Sequence, residues 1–150
     1  MAVCWACPPQ AAYPYKYTLE GDTNIMTPLT CMALALYFEA RSEPLDAKLA
    51  VAEVILNRVE DTRFPDDVCG VVWQPKQFSW THDGLTDTPK NKEVWQEIKD
   101  LCDEVLSDPD SILLGHGADH YHATYVDPYW SGDLTVVGLY GTHVFYKWEH

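Results

Sequence analysis

From Pro44 to Val59 apolar residues cover most of the circumference of a helix. Leu45, Leu49, Ala52 and Leu56 form one stripe, and Val51, Ile55 and Val59 form another. Such a helix is stable only when enclosed, so it is expected at the centre of a core. Glu53 and Asn57 interrupt this surface one turn apart. A second apolar helix precedes it. Thr27 suits an N-cap and Pro28 the first helical position. Leu29, Met32, Ala33, Leu36 and Tyr37 then recur at helical spacing, and the run continues through Phe38-Glu39-Ala40-Arg41. Ser42 and Pro44 mark the break between the two.

The rest of the chain is organised around this pair. Residues 1–26 carry Pro8, Pro9 and Pro14 without periodicity and read as an N-terminal extension, with one domain over 27–150. Residues 60–90 carry Pro65, Gly70, Pro75, Gly84 and Pro89 and read as loop-rich, with a short apolar stretch at Val71–Trp73 and the segment Gln77-Phe78-Ser79-Trp80. A third helix is expected over about Lys90–Leu106, with Val94, Ile98, Leu101 and Val105 on one face, ended by Ser107-Asp108-Pro109-Asp110. His120–Ala123, Val136–Tyr140 and Gly141–Tyr146 read as short strands. The expected class is α+β, mostly helical.

With 150 residues, 47% of them apolar, the chain can bury one real core. Its formal net charge of −13 argues against nucleic acid and against anionic membrane surfaces, which both need clustered Lys and Arg. It suits a protein that resists association, here expected to be a monomer. The cysteines number five (Cys4, Cys7, Cys31, Cys69 and Cys102), an odd count that argues against a complete disulfide framework. They are expected to be reduced, with Cys31 and Cys102 as small core residues. No stretch reaches the ~20 apolar residues that span a bilayer, and no basic-then-apolar N-terminus marks a Sec signal. Synthesis in a cytoplasm is expected, with another route to any substrate outside it.

Two kinds of chemistry are on offer. Glu39 closes an apolar helix at a polar break, where a carboxyl group can be half-buried at the lip of a cleft. Burial raises a carboxyl pKa, as a general acid near neutral pH requires. The alternative is a surface glutamate paired with Arg41. Glu53 could be a second acid, or could support the fold by bonding Asn57 or Arg58, since buried acids need partners. Glu43 reads as a helix-start residue favoured by the macrodipole. The rival chemistry is zinc: His120 and His122 alternate on one strand and could join His116 or His143. No H-E-x-x-H supports it, and no G-x-S-x-G or phosphate-cradling glycine loop is present.

Several blocks in order resemble the SleB-type cell-wall hydrolases, the spore-cortex-lytic enzymes and related phage and bacterial proteins. They are Leu34–Pro44 (L-A-L-Y-F-E-A-R-S-E-P), Leu49–Val59, Arg63-Phe64-Pro65, Val68–Val72, Gln77–Trp80, His120–Ala123, Pro128-Tyr129-Trp130 and Gly141–Tyr146. They cover roughly residues 30 to 147. The resemblance implies a lysozyme-like or lytic-transglycosylase-like fold with a small extended region beside a groove. It implies cleavage of the β-1,4 bond between N-acetylmuramic acid and N-acetylglucosamine in peptidoglycan strands, with no cofactor and no metal. Glu39 matches the first Glu of the family's E-A-R-G-E motif, and Ser42 stands where the family has Gly. Gln77, Ser79 and Trp80 are expected along one wall of the groove, and Tyr121, His122 and Trp130 along the other, with His143 and Tyr146 nearby. A transglycosylase course needs no second carboxylate, whereas a hydrolase would use one, for which Glu53 and Asp83 are candidates. A zinc-dependent amidase or peptidase built on the histidines and a non-catalytic glycan-binding module are the competing classes. A small cell-wall enzyme without a signal peptide further suggests a phage lysis protein, released by a holin or carried in a virion.

Overall fold

A computed structural model describes residues 26–74 and 88–149. The elements are α1 (Pro28–Ala40), α2 (Leu45–Glu60), α3 (Val68–Trp73), α4 (Lys92–Ser107), α5 (Pro109–Ile112), β1 (His120–Ala123), a 3₁₀ turn at Ser131–Asp133, β2 (Thr135–Tyr140) and β3 (His143–Lys147). The strands form one antiparallel sheet in the order β1-β3-β2. Among the described residues no helix is long and apolar enough to cross a membrane.

The most enclosed helix is α1 rather than α2. Every residue from Cys31 to Leu36 is fully buried, because α2, α3 and α4 all pack on it. Its start follows the sequence pattern: the Thr27 side chain accepts from the Thr30 N–H at 3.1 Å. The Tyr37 hydroxyl accepts from the Lys90 and Asn91 N–H groups at 3.1 and 3.0 Å and so anchors the entry to α4. Asn91 caps that helix, which buries Trp95, Ile98, Cys102 and Val105.

Within the loop-rich segment the apolar stretch at 71–73 is the end of α3, whose N-cap Asp67 accepts from the Gly70 N–H at 2.6 Å. A Cβ on Gly70 would sit 2.8 Å from that of Pro65, so only glycine allows this close turn. The cysteines are not all reduced: Cys31 on α1 and Cys69 on α3 form a disulfide across 38 positions. Spacing could not reveal that pairing, because it depends on how α3 folds back on α1. Cys102 keeps its thiol, and burial pushes its pKa up to about 12, so it is an inert core residue. Cys4 and Cys7 lie outside the described residues.

The polar positions on α2 hold the segment that leads into the sheet. Glu53 accepts from the Gly115 and Gly117 N–H groups at 2.8 and 3.1 Å, and both glycines have positive φ. Asn57 donates to the Ala118 carbonyl at 2.8 Å, and Arg58 Nε donates to that of Asp119 at 2.7 Å. Burial lowers the Arg58 pKa only to about 10, so it stays charged, over the face of Phe64. The supporting role expected of Glu53 is therefore aimed at a backbone turn 62 and 64 positions away, not at Asn57 or Arg58. Glu53→Ala should strand two backbone donors and cost about 3 kcal/mol in urea unfolding. A loss under about 0.5 kcal/mol would mean the turn is held by other contacts.

Candidate active site

Strand alternation divides the histidines and aromatics of the sheet between two faces. Register pairs Tyr121 with Phe145 and Ala123 with His143, which sets these side chains toward the helices. Tyr121 stacks on Phe145 at 5.3 Å and meets the edge of His143 at 5.4 Å. His120, His122, Trp130 and Tyr146 gather on the other face. His122 stacks on Tyr146 at 5.2 Å, and Trp130 contacts His120, His122 and Tyr146 at 5.3, 5.8 and 5.5 Å.

A cleft of about 270 Å³ opens where α1 ends. It is lined by Phe38, Glu39, Ala40, Arg41, Ser42 and Glu43 from α1 and the turn after it, by Thr142 from the β2–β3 turn, by His143 at the start of β3, and by Tyr125. Glu39 is in its lining yet only 8% exposed, because it sits in the last turn of the most buried helix. The Tyr121 hydroxyl donates to Glu39 Oε1 at 2.6 Å, while Oε2 is buried without a hydrogen-bond partner. Burial pushes the Glu39 pKa up, and the Tyr121 bond, which favours the anion, offsets part of that rise. The arrangement favours the neutral acid over the carboxylate at the cleft, and the unpartnered Oε2 is the natural seat of the proton. Pairing with Arg41 is not seen; that guanidinium lies 5.1 Å over the Tyr37 ring.

Tyr121 is a positioning residue in this arrangement. Tyr121→Phe removes the one bond that favours ionised Glu39, so the Glu39 pKa should rise further. If Glu39 acts as an acid, the alkaline limb of activity should move to higher pH. An alkaline limb that stays in place would disconnect Tyr121 from the acid.

Glu43 was read from sequence as a helix-start residue, and the structure gives it a different task. Its Oε1 accepts from the Thr142 N–H at 2.8 Å and from the Thr142 hydroxyl, and lies 3.1 Å from His143 Nδ1. Burial alone would raise its pKa, but the Thr142 bonds and His143 outweigh burial and hold it below the ordinary range. The hairpin turn reaches Glu43 because Gly141 has φ of 57° and no side chain; a Cβ there would meet Glu43 Oε1 at 3.0 Å and Ala47 at 3.1 Å. Glu43, Thr142 and the 83% exposed Tyr125 were missed in the sequence. The first two are 99 positions apart, and no local pattern links them.

The structure does not bring together all the residues expected at the site. Tyr121 and His143 adjoin Glu39 and its cleft. His122, Trp130 and Tyr146 form the separate cluster on the other sheet face, where His122 is bonded to the Ala123 carbonyl at 2.7 Å and the Tyr146 hydroxyl at 2.8 Å. Glu53 is not in the lining of the cleft, being committed to the 115–117 turn. Gln77, Ser79, Trp80 and Asp83 lie outside the described residues. The histidines of the alternative zinc reading are dispersed: among the described residues no three His, Cys, Asp or Glu side chains are grouped to hold a metal. His120 bonds Asp119 at 2.7 Å, and His116 sits between Ala50 and Ala118, with burial lowering its pKa.

The chain is similar to known proteins. The Cell Wall Hydrolase family profile matches residues 42–146. A spore cortex-lytic enzyme of Oceanobacillus iheyensis is 42% identical over 141 residues, which is 93% of this chain and 46% of that protein. One of Bacillus cereus is 31% identical over 116 residues, or 77% of this chain and 42% of that protein. The chain thus spans less than half the length of these relatives. Among solved structures, the catalytic domain of the germination-specific lytic transglycosylase SleB from Bacillus anthracis superposes with a TM-score of 0.65 at 27% identity, covering 89% of this chain and 99% of that domain.

Proposed function

The chain belongs to the cell wall hydrolase family, and we propose that it cleaves the β-1,4 bond between N-acetylmuramic acid and N-acetylglucosamine in peptidoglycan, with Glu39 as general acid. The observation that carries this reading is the Glu39 carboxyl group itself. It is buried in the lining of an open cleft, its pKa is raised, and one oxygen is held by Tyr121 while the other is unpartnered. A surface glutamate would be ionised and could not donate a proton at neutral pH.

Glu39 gives its proton to the glycosidic oxygen as the C1–O bond breaks and positive charge develops on the muramic ring. In the transglycosylase course the muramic 6-hydroxyl then attacks its own C1. The proton it releases returns to the Glu39 carboxylate, and the product is a 1,6-anhydro sugar. The name of the Bacillus anthracis neighbour supports this course over hydrolysis. Glu53, one candidate for the second carboxylate of a hydrolase, is committed to the 115–117 turn, which also supports this course. Tyr125, exposed at the cleft mouth, offers a flat face on which a sugar ring can stack. His143 stands beside Tyr121 and the acid. The partner is the peptidoglycan strand, and the place of action is the cell wall; the Cys31–Cys69 disulfide suits the oxidising side of a membrane.

Mass spectrometry of the products from purified peptidoglycan tests this. Anhydro-muropeptides are the expected result. Reducing muramic ends would replace the transglycosylase course with hydrolysis. Intact glycan with cut peptide stems would overturn the reading and return attention to an amidase or peptidase.

A further inference from the structure

Two acidic side chains line the Glu39 cleft, and their surroundings treat them in opposite ways. Glu39 is enclosed by α1 and bonded by one phenol. Glu43, four residues on, has left the helix and is pinned to the hairpin turn. Its contacts with Thr142 and His143 all run through Oε1. Oε2 takes part in none of them, and the side chain remains 13% exposed in the lining of the cleft. A clip for the turn alone would need only an acceptor at Oε1, which a neutral amide also supplies. What Glu43 adds is a fixed negative charge beside the acid.

We propose that Glu43 is a second functional carboxylate of this cleft, held by the Thr142 turn so that its charge stabilises the positive sugar ring formed when Glu39 gives up its proton. The inference rests on the reading of Glu39 as a glycan-cleaving acid. No bond to Glu43 forms or breaks, and no proton moves to or from it. Its contribution is electrostatic preorganisation: the anion is already in place and bonded before charge develops, so no reorganisation accompanies the reaction. Paired carboxyl groups whose surroundings drive them apart, one neutral and one ionised, can divide the acid and charge-stabilising roles in this way. The other ionisable groups lining the cleft are Arg41, Tyr125 and His143. Arg41 lies over Tyr37, and burial lowers the His143 pKa, so beside Glu39 itself, which becomes an anion only as it gives up its proton, Glu43 is the carboxylate of this lining that is charged beforehand.

Charge and structure can be separated because they rank two variants in opposite order. Glu43→Gln keeps the length and the acceptor for Thr142 but removes the charge. Glu43→Asp keeps the charge but is one methylene too short to hold the turn as before. Turnover of purified peptidoglycan and thermal unfolding are measured for both, with the wild type. The expected result is kcat lowered about 100-fold by Glu43→Gln, with KM within about twofold, and lowered only about tenfold by Glu43→Asp. Tm should rank the other way, with Glu43→Gln above Glu43→Asp. A Glu43→Gln kcat within about threefold of wild type, or above that of Glu43→Asp, overturns the proposal. Should Glu43→Gln not fold, Glu43→Asp is compared with Thr142→Val, which loosens the same turn with the carboxylate at full reach. A lower kcat for Glu43→Asp supports the proposal, and equal values overturn it. If the wild type itself leaves the glycan intact, the reading of Glu39 has failed and this inference goes with it. Cleavage by the wild type with an indifferent Glu43 overturns this inference alone.

Discussion

Glu39→Gln should lower glycan cleavage about 1,000-fold while leaving the fold intact. The amide has the size of the acid and can still accept the Tyr121 hydroxyl now bonded at 2.6 Å, so the last turn of α1 keeps its packing. It has no acid proton, so the leaving oxygen would depart as an alkoxide. The same substitution should be neutral or stabilising, and the pH dependence gives this a sign. Burial raises the Glu39 pKa in the folded state. Above the ordinary carboxyl pKa the unfolded chain has released this proton while the folded one retains it. Stability therefore falls as pH rises, until pH passes the raised folded value. Glu39→Gln lacks that slope. Its stability relative to wild type should grow with pH through that window and then level off. Product release by HPLC and urea unfolding at several pH values measure both effects. A variant with more than about a tenth of wild-type turnover would show that another group supplies the proton.

Replacing Cys31 and Cys69 together by Ala should cost about 4 kcal/mol, the loop-closure entropy associated with a 38-residue separation. For a domain of this size that corresponds to a fall in Tm of about 10 °C. The consequence reaches the site, because Cys31 lies on the helix that ends in Glu39, and α3 is the element tied to it. Reductant should produce the same fall in the wild type and no further change in the double variant. Alkylation followed by mass spectrometry gives the independent check, with Cys31 and Cys69 modified only after reduction. Labelling of both thiols without reductant, with Tm unmoved by dithiothreitol, would remove the disulfide from the account.

Much of this was legible in the chain before any coordinates. Helix starts are local events, and Thr27 and Pro28 carried that of α1. The three strands followed from short runs of β-forming residues. Glu39 was legible twice, as a carboxyl group closing an apolar helix and as the Glu of a family motif. Its burial was only one of two readings there, since the enclosure of α1 comes from the packing of α2, α3 and α4 on it.

What stayed hidden depends on pairs that are distant in sequence. Whether α1 or α2 is central is a matter of how many neighbours each gains, which periodicity does not encode. An isolated Cys in a helix and another in a loop carry no sign of pairing. Glu53 was visible as an interruption in an apolar surface, but its partners are backbone N–H groups of a turn beyond α4, and backbone donors leave no trace in residue identity. The aromatic and histidine residues near the C-terminus were read as one wall. Strand alternation and the register of β1 on β3 instead send Tyr121 and His143 to the acid, and His122, Trp130 and Tyr146 to the opposite face. Capping and periodicity act over a few residues, so the order of residues was enough to mark Glu39 as a candidate acid and α1 as the helix that carries it. Which carboxylates share the cleft depends on the folded chain, because hydrogen bonds such as that from Thr142 to Glu43 join positions 99 residues apart.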